Sequence, residues 1–232
     1  MVEMELTPAV IFWLSATSFV TLRAIYALLS YVLPSTPASG RFRFVRGTNA
    51  VITMAWALSC GFYNKPGPCT DPGAESSREE VITMTNVIGG TMFDLWFGLF
   101  VKESEKRNNI LHHVSTLLIV GGGLVSGRSG RVMVYAFFLA EITDPPAQLL
   151  YFLRWLGWKE YTAVKVYHFL VLALFGFIRA GMGSYITYCI VFHPAPHVVL
   201  RMGVAAFYVA GIVYTVQLVS RKYMYRAGSL EN

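Results

Sequence analysis

The chain has 232 residues, 55% of them hydrophobic and 14% charged, with a mean hydropathy of +0.50. A soluble domain carries about 25% charged residues, so this composition excludes one, and it is too apolar for a disordered chain. Three cysteines exclude a disulfide scaffold, and a net charge of +6 scattered over short segments argues against a nucleic-acid binder; a polytopic membrane protein remains.

A membrane helix needs about 20 mainly apolar residues to cross roughly 30 Å of hydrocarbon. Seven segments meet or approach that need, at about 8–33, 47–63, 81–101, 110–126, 131–153, 163–192 and 198–220. None alternates as a membrane barrel strand would, so the expected fold is an all-α membrane bundle. Glu3 and Glu5, not basic residues, precede the first segment, which reads as a retained anchor rather than a cleaved signal. The expected organisation is an anchor helix and linker over 1–40, a membrane domain over 41–222 and a tail over 223–232. Connections are short, so consecutive helices should be antiparallel neighbours.

Lys and Arg in the connections give the orientation. The segments 34–46, 102–109, 154–162 and the tail after 220 hold eleven, including Arg41, Arg43, Arg46, Lys102, Lys106 and Arg107. The opposite set holds four: Lys65, Arg78, Arg128 and Arg131. The N-terminus is therefore expected in the lumen and the C-terminus in the cytosol. The long connection 64–80, rich in Pro, Gly, Ser and acid, reads as the mobile segment.

Several residues interrupt the apolar spans. Gly89–Gly90 and Gly121–Gly122–Gly123 permit close helix approach or local distortion. Pro145–Pro146 must kink or break the fifth span just after Glu141. Trp13, Trp56, Trp96, Trp155 and Trp158 fit interfacial belts. Cys60 and Cys69 fall on the lumenal side and can pair in an oxidising compartment, whereas Cys189 reads as unpaired.

Ionisable groups inside a bilayer are costly unless they face the bundle interior or a wet cavity. At about 1.5 Å per residue, Asp94, His112, His113 and His168 fall into one layer near the cytosolic face. Glu141, Asp144 and Arg179 fall deeper. Each also has a plain structural reading: Arg179 can lock the bundle through Glu141 or Asp144, Asp94 and His168 can bond neighbouring helices, and Arg23, Lys165 and Arg201 can snorkel.

The stretch FDLWFGLFVKESEKRNNILHHVSTLLIV at 93–120 and the stretch FFLAEITDPPAQLLYFLRWLG at 137–157 resemble the TLC-domain superfamily. The likeness rests on Asp94, a short charged connection, His112–His113 and Thr116, followed by Glu141, Thr143, Pro145, Arg154 and Trp155, with Phe175 near Arg179. It covers roughly 40–220. It implies six helices around a central cavity with an extra N-terminal span. In the ceramide-synthase branch the His pair is required for transfer of an acyl group from acyl-coenzyme A to a sphingoid base. This chain has AEITDPP where those enzymes carry a His-Asp and a second Asp. It therefore looks nearer to the small TLC-domain-containing proteins, which are linked to membrane lipid composition.

Two functions follow as expectations. One is an intramembrane N-acyltransferase in which His112 or His113 acts as base or nucleophile and Asp94 or His168 orients it. His168, Glu141, Asp144, Arg179 and Thr116 would contact substrate, and Lys102, Lys106 and Arg107 would attract the phosphates of acyl-coenzyme A as co-substrate. The other is a non-catalytic lipid-binding protein that regulates membrane composition. A zinc hydrolase has less support, because adjacent histidines on one helix are awkward joint ligands. No cofactor is called for. Expected partners are membrane lipids, with a long-chain acyl donor and a lipid acceptor in the enzymatic reading; nucleic acid is not among them, and a homodimer is open. The endoplasmic reticulum is the first expected location and the plasma membrane the next.

Overall fold

Helix α1 spans Pro8–Val32, started by the Thr7 side chain and by proline at the first helical position, where no backbone donor is lost. The computed structural model describes residues 7–64, 67–101, 107–209 and 211–212. Among them the helices continue as α2 (Ala38–Ser59), α3 (Arg78–Phe100), α4 (Arg107–Ser126), α5 (Gly130–Glu141), α6 (Asp144–Trp155) and α7 (Thr162–Gly176). A π-helical turn over Phe177–Met182 leads from α7 into α8 (Gly183–Val191), and α9 (Val198–Val209) follows. The protein is the all-α bundle expected from its sequence, and α1 and the continuous stretch Thr162–Val191 are long and apolar enough to cross a membrane.

Helix α3 is the axis of the bundle. It packs against α1, α2, α4 and α5 and buries residues all round, from Glu80 through Met84 and Gly90 to Phe97. Gly89 and Gly90 make this crowding feasible. A Cβ on Gly89 would stand 2.5 Å from Ser18 Cβ on α1, and one on Gly90 would stand 2.5 Å from Asn49 Nδ2 on α2. Between them Ser18 donates to Asn86 Oδ1 at 2.9 Å, and Asn86 Nδ2 donates to Thr53 Oγ1 at 2.9 Å. This net ties three helices together where lipid offers no hydrophobic drive for association. The second glycine run behaves differently: Gly121 and Gly122 meet nothing within 4 Å, and Gly123 makes only ordinary contacts. Among the described residues no close approach occurs there, because α4 turns Gly122 outward beside Leu118 and Val125, the latter 91% exposed.

Three other expectations are corrected. Helix α2 begins at Ala38, not near 47, because its arginines are satisfied by the protein: Arg41 donates to the Leu33 carbonyl at 3.3 Å, and Arg43 lies 4.5 Å from the Tyr151 ring centre. Trp96 is half-buried beside a buried aromatic cluster, with the exposed Arg23 guanidinium 3.9 Å from its ring centre. Cys69 pairs with Cys189, and Cys60 is a buried thiol outside any disulfide. The reason is spatial: Cys60 ends α2 against α5, while the connection carries Cys69 across to the end of α8.

That same connection is held down. Ser129 N donates to Ala74 O at 2.7 Å, Ser76 N to Gly127 O at 2.9 Å and Gly130 N to Ser76 Oγ at 3.0 Å. Gly73 is pressed so close to Ala195 that a Cβ would stand 2.6 Å away. Ser77 and Glu80 then form a capping box that starts α3, with Glu80 only 1% exposed. A segment read as mobile is therefore a clasp over one end of the bundle. Residues 65–66 of it lie outside the described residues.

Candidate functional site

The predicted break in the fifth span is present. Pro145 and Pro146 supply no backbone donors, so α5 stops at Glu141 and α6 restarts at Asp144. The step puts both carboxylates at the interior. The π turn acts similarly on α7–α8: the extra residue it inserts brings Arg179 to the stripe of Gly183, Ile186 and Ile190.

These features open onto a cavity of about 210 Å³. Its lining includes Asp94, His112, His113, Thr116, Glu141, Asp144 and Arg179, so seven predicted residues from α3, α4, α5, α6 and the π turn meet. The cavity is polar at one end only. Toward the clasp it is walled by Val87, Val120, Met133, Ile186, Ile190 and Val204. From Met133 to Glu141 along α5 is about 12 Å at 1.5 Å per residue, room for an aliphatic chain lying along the bundle with its head among the charges.

Arg46 organises the charged end. Its Nε donates to Asp144 Oδ2 at 2.7 Å, and its Nη1 stands 3.8 Å from Asp94 Oδ2. His113 Nε2 stands 3.8 Å from the same Asp94 oxygen. Asp94 thus faces a guanidinium on one side and an imidazole on the other. The His112 ring stacks on Phe207 at 4.6 Å, and the Thr116 hydroxyl donates to the His112 carbonyl at 3.0 Å. The two layers expected from depth counting are one layer, because Asp94 and Asp144 lie at similar distances from the N-terminal ends of α3 and α5, and Arg46 spans them.

His168 is not brought to this cavity; it lies half-buried on α7, away from the lining. Arg179 does not lock the bundle through Glu141 or Asp144: it makes no ion pair among the described residues, and its Nε is buried without a hydrogen-bond partner. Lys102, Lys106 and the Arg107 side chain lie outside the described residues, as do residues 213–232 with the end of the seventh span. Sequence reading missed Arg46, Thr91, Phe207 and Tyr208, which also line the cavity. Arg46 carried a signal, since Arg46, Asn49 and Thr53 fall on one face of α2, a polar stripe inside an apolar bundle.

A family model described as TLC domain matches residues 42–224. No solved structure matches the chain.

Proposed function

The chain belongs to the TLC-domain family, so it is a membrane protein with a lipid-related role, and from that premise we propose that it transfers a fatty acyl group to a lipid amine within the membrane. The observation that carries this reading is the cavity: one apolar end that fits a chain, and one charged end lined by two imidazoles and a carboxylate. We assign the base to His113. Asp94 Oδ2 faces its Nε2 at 3.8 Å, and closing to hydrogen-bond distance on substrate binding would hold the tautomer that leaves the Nδ1 lone pair available. As the amine attacks the thioester carbonyl of acyl-coenzyme A, Nδ1 takes the amine proton. The C–N bond forms, the C–S bond breaks, and the proton passes to the departing thiolate, giving amide and thiol. His112, stacked on Phe207, lines the same cavity.

Orientation supports the same reading. The Cys69–Cys189 bridge suits an oxidising lumen at the clasped end. The charged end then faces the cytosol, the compartment of acyl-coenzyme A. Seven passes, the endoplasmic reticulum and an amine-bearing lipid acceptor belong to this proposal.

Replacing His112 and His113 singly by Ala, and assaying acyl transfer to long-chain bases, tests the chemistry. His113→Ala should lose at least about 100-fold in rate, and undiminished turnover in both variants rules the reading out. A lipid-holding protein without turnover is the second reading. It is favoured by the 3.8 Å separation of His113 and Asp94, longer than a hydrogen bond. A lipid retained through purification, with no transfer from any acyl donor, would select it.

A further inference from the structure

The charged end of the cavity is unevenly paired. Arg46 is satisfied by Asp144 and shared with Asp94, and Asp94 also faces His113. Two groups stand apart from this set. Glu141, on the last turn of α5, lines the cavity with no hydrogen bond or ion pair from its carboxylate among the described residues. Arg179, on the π turn, lines the same cavity with its Nε buried and unpartnered and no carboxylate in contact. They are opposite in sign, share one cavity and do not pair with each other. Leaving an opposite pair unsatisfied in a low-dielectric interior is costly. Two deliberate features of the backbone hold them there, a double-proline break and a π turn, and both are devices that cluster at functional sites.

We propose that Glu141 and Arg179 are the two poles of a headgroup site for a zwitterionic single-chain lipid. Glu141 accepts hydrogen bonds from its ammonium, and Arg179 donates to its anionic oxygen. The apolar wall from Met133 to Ile190 takes the chain. This deepens the reading of the cavity as a lipid site by naming the headgroup class, and it rests on that reading. A purely cationic amphiphile leaves Arg179 buried without an anion, and a purely anionic one adds charge beside Glu141, Asp94 and Asp144. Only a headgroup with both signs satisfies both poles.

The test is binding to the purified full-length protein in detergent, with no acyl donor present. Four lipids with the same single chain carry phosphoethanolamine, phosphate, a primary amine or glycerol as headgroup, and chain-free phosphoethanolamine is the fifth probe. The phosphoethanolamine lipid should bind about tenfold more tightly than the phosphate or amine lipid, the value of one charge-assisted hydrogen bond. Glu141→Gln should weaken the phosphoethanolamine and amine lipids about tenfold and spare the phosphate lipid; Arg179→Gln should weaken the phosphoethanolamine and phosphate lipids about tenfold and spare the amine lipid. Equal binding of all four lipids, or equal loss of all four in either variant, overturns the proposal. So does competition by the chain-free probe at the affinity of the lipid, which would make the ligand a soluble zwitterion. If a variant does not fold, the ranking on the unaltered protein decides. Acyl transfer plays no part in this readout, so a flat ranking and a failed turnover assay are separate results.

Discussion

Helices α2 and α3 share two buried polar clusters, and they are built on opposite rules. In the first, Ser18, Asn49, Thr53 and Asn86 bond one another across α1, α2 and α3, where the glycines at 89 and 90 bring the backbones close. In the second, about two turns further along α3, Arg46, Asp94 and Asp144 are joined, while Glu141 and Arg179 open into a cavity without a partner among the described residues. Neutral groups closed on themselves hold helices together. Charged groups left facing a space are poised for something that fills it. Burial of polar residues in a membrane bundle therefore does not by itself mark a site; incomplete satisfaction beside a cavity does.

The contrast can be broken in order of effect. Arg46→Met should be the most damaging change, at about 3 kcal/mol, because it strands Asp144 and Asp94; pairing it with Asp144→Leu should recover most of the loss in thermal unfolding in detergent. Gly89→Val should cost about 2 kcal/mol by overpacking α1 against α3, since the Ser15 carbonyl lies 2.8 Å from the added Cβ. Asn86→Leu should cost about 1 kcal/mol and leave lipid binding intact, and loss of binding in this variant would mean the two clusters are not separate. Gly122→Leu should change stability by less than about 0.5 kcal/mol, because nothing lies within 4 Å of that glycine. A large loss there would show a helix docked on that face.

Much of the charged cluster was legible because ionisable residues in apolar spans have few places to go. Asp94, His112, His113, Thr116, Glu141, Asp144 and Arg179 all line one cavity. The double proline announced the break that positions two of them. Arg46 escaped because hydropathy groups it with Arg41 and Arg43 as a basic connection, whereas its neighbours on the helix face are Asn49 and Thr53. The cysteine partner escaped for a different reason. Pairing across a sequence separation of 120 depends on where the end of α8 sits over the clasp, and no local pattern encodes that. The clasp itself was composed of residues typical of loose loops, yet Ser76 N donates to Gly127 O while Ala74 O and Ser76 Oγ accept from Ser129 N and Gly130 N, partners that only the fold brings together. The glycine runs show the same limit, since 89–90 and 121–123 look alike in sequence and differ only in what stands opposite them.

The most direct measurement is the rate of acyl transfer from a long-chain acyl-coenzyme A to a long-chain amine by the purified protein, compared between the unaltered chain and His113→Ala at matched folding. The account predicts measurable transfer by the former and a loss of at least about 100-fold in the latter. Equal rates in the two, or bound lipid with no transfer by the unaltered protein, would contradict it.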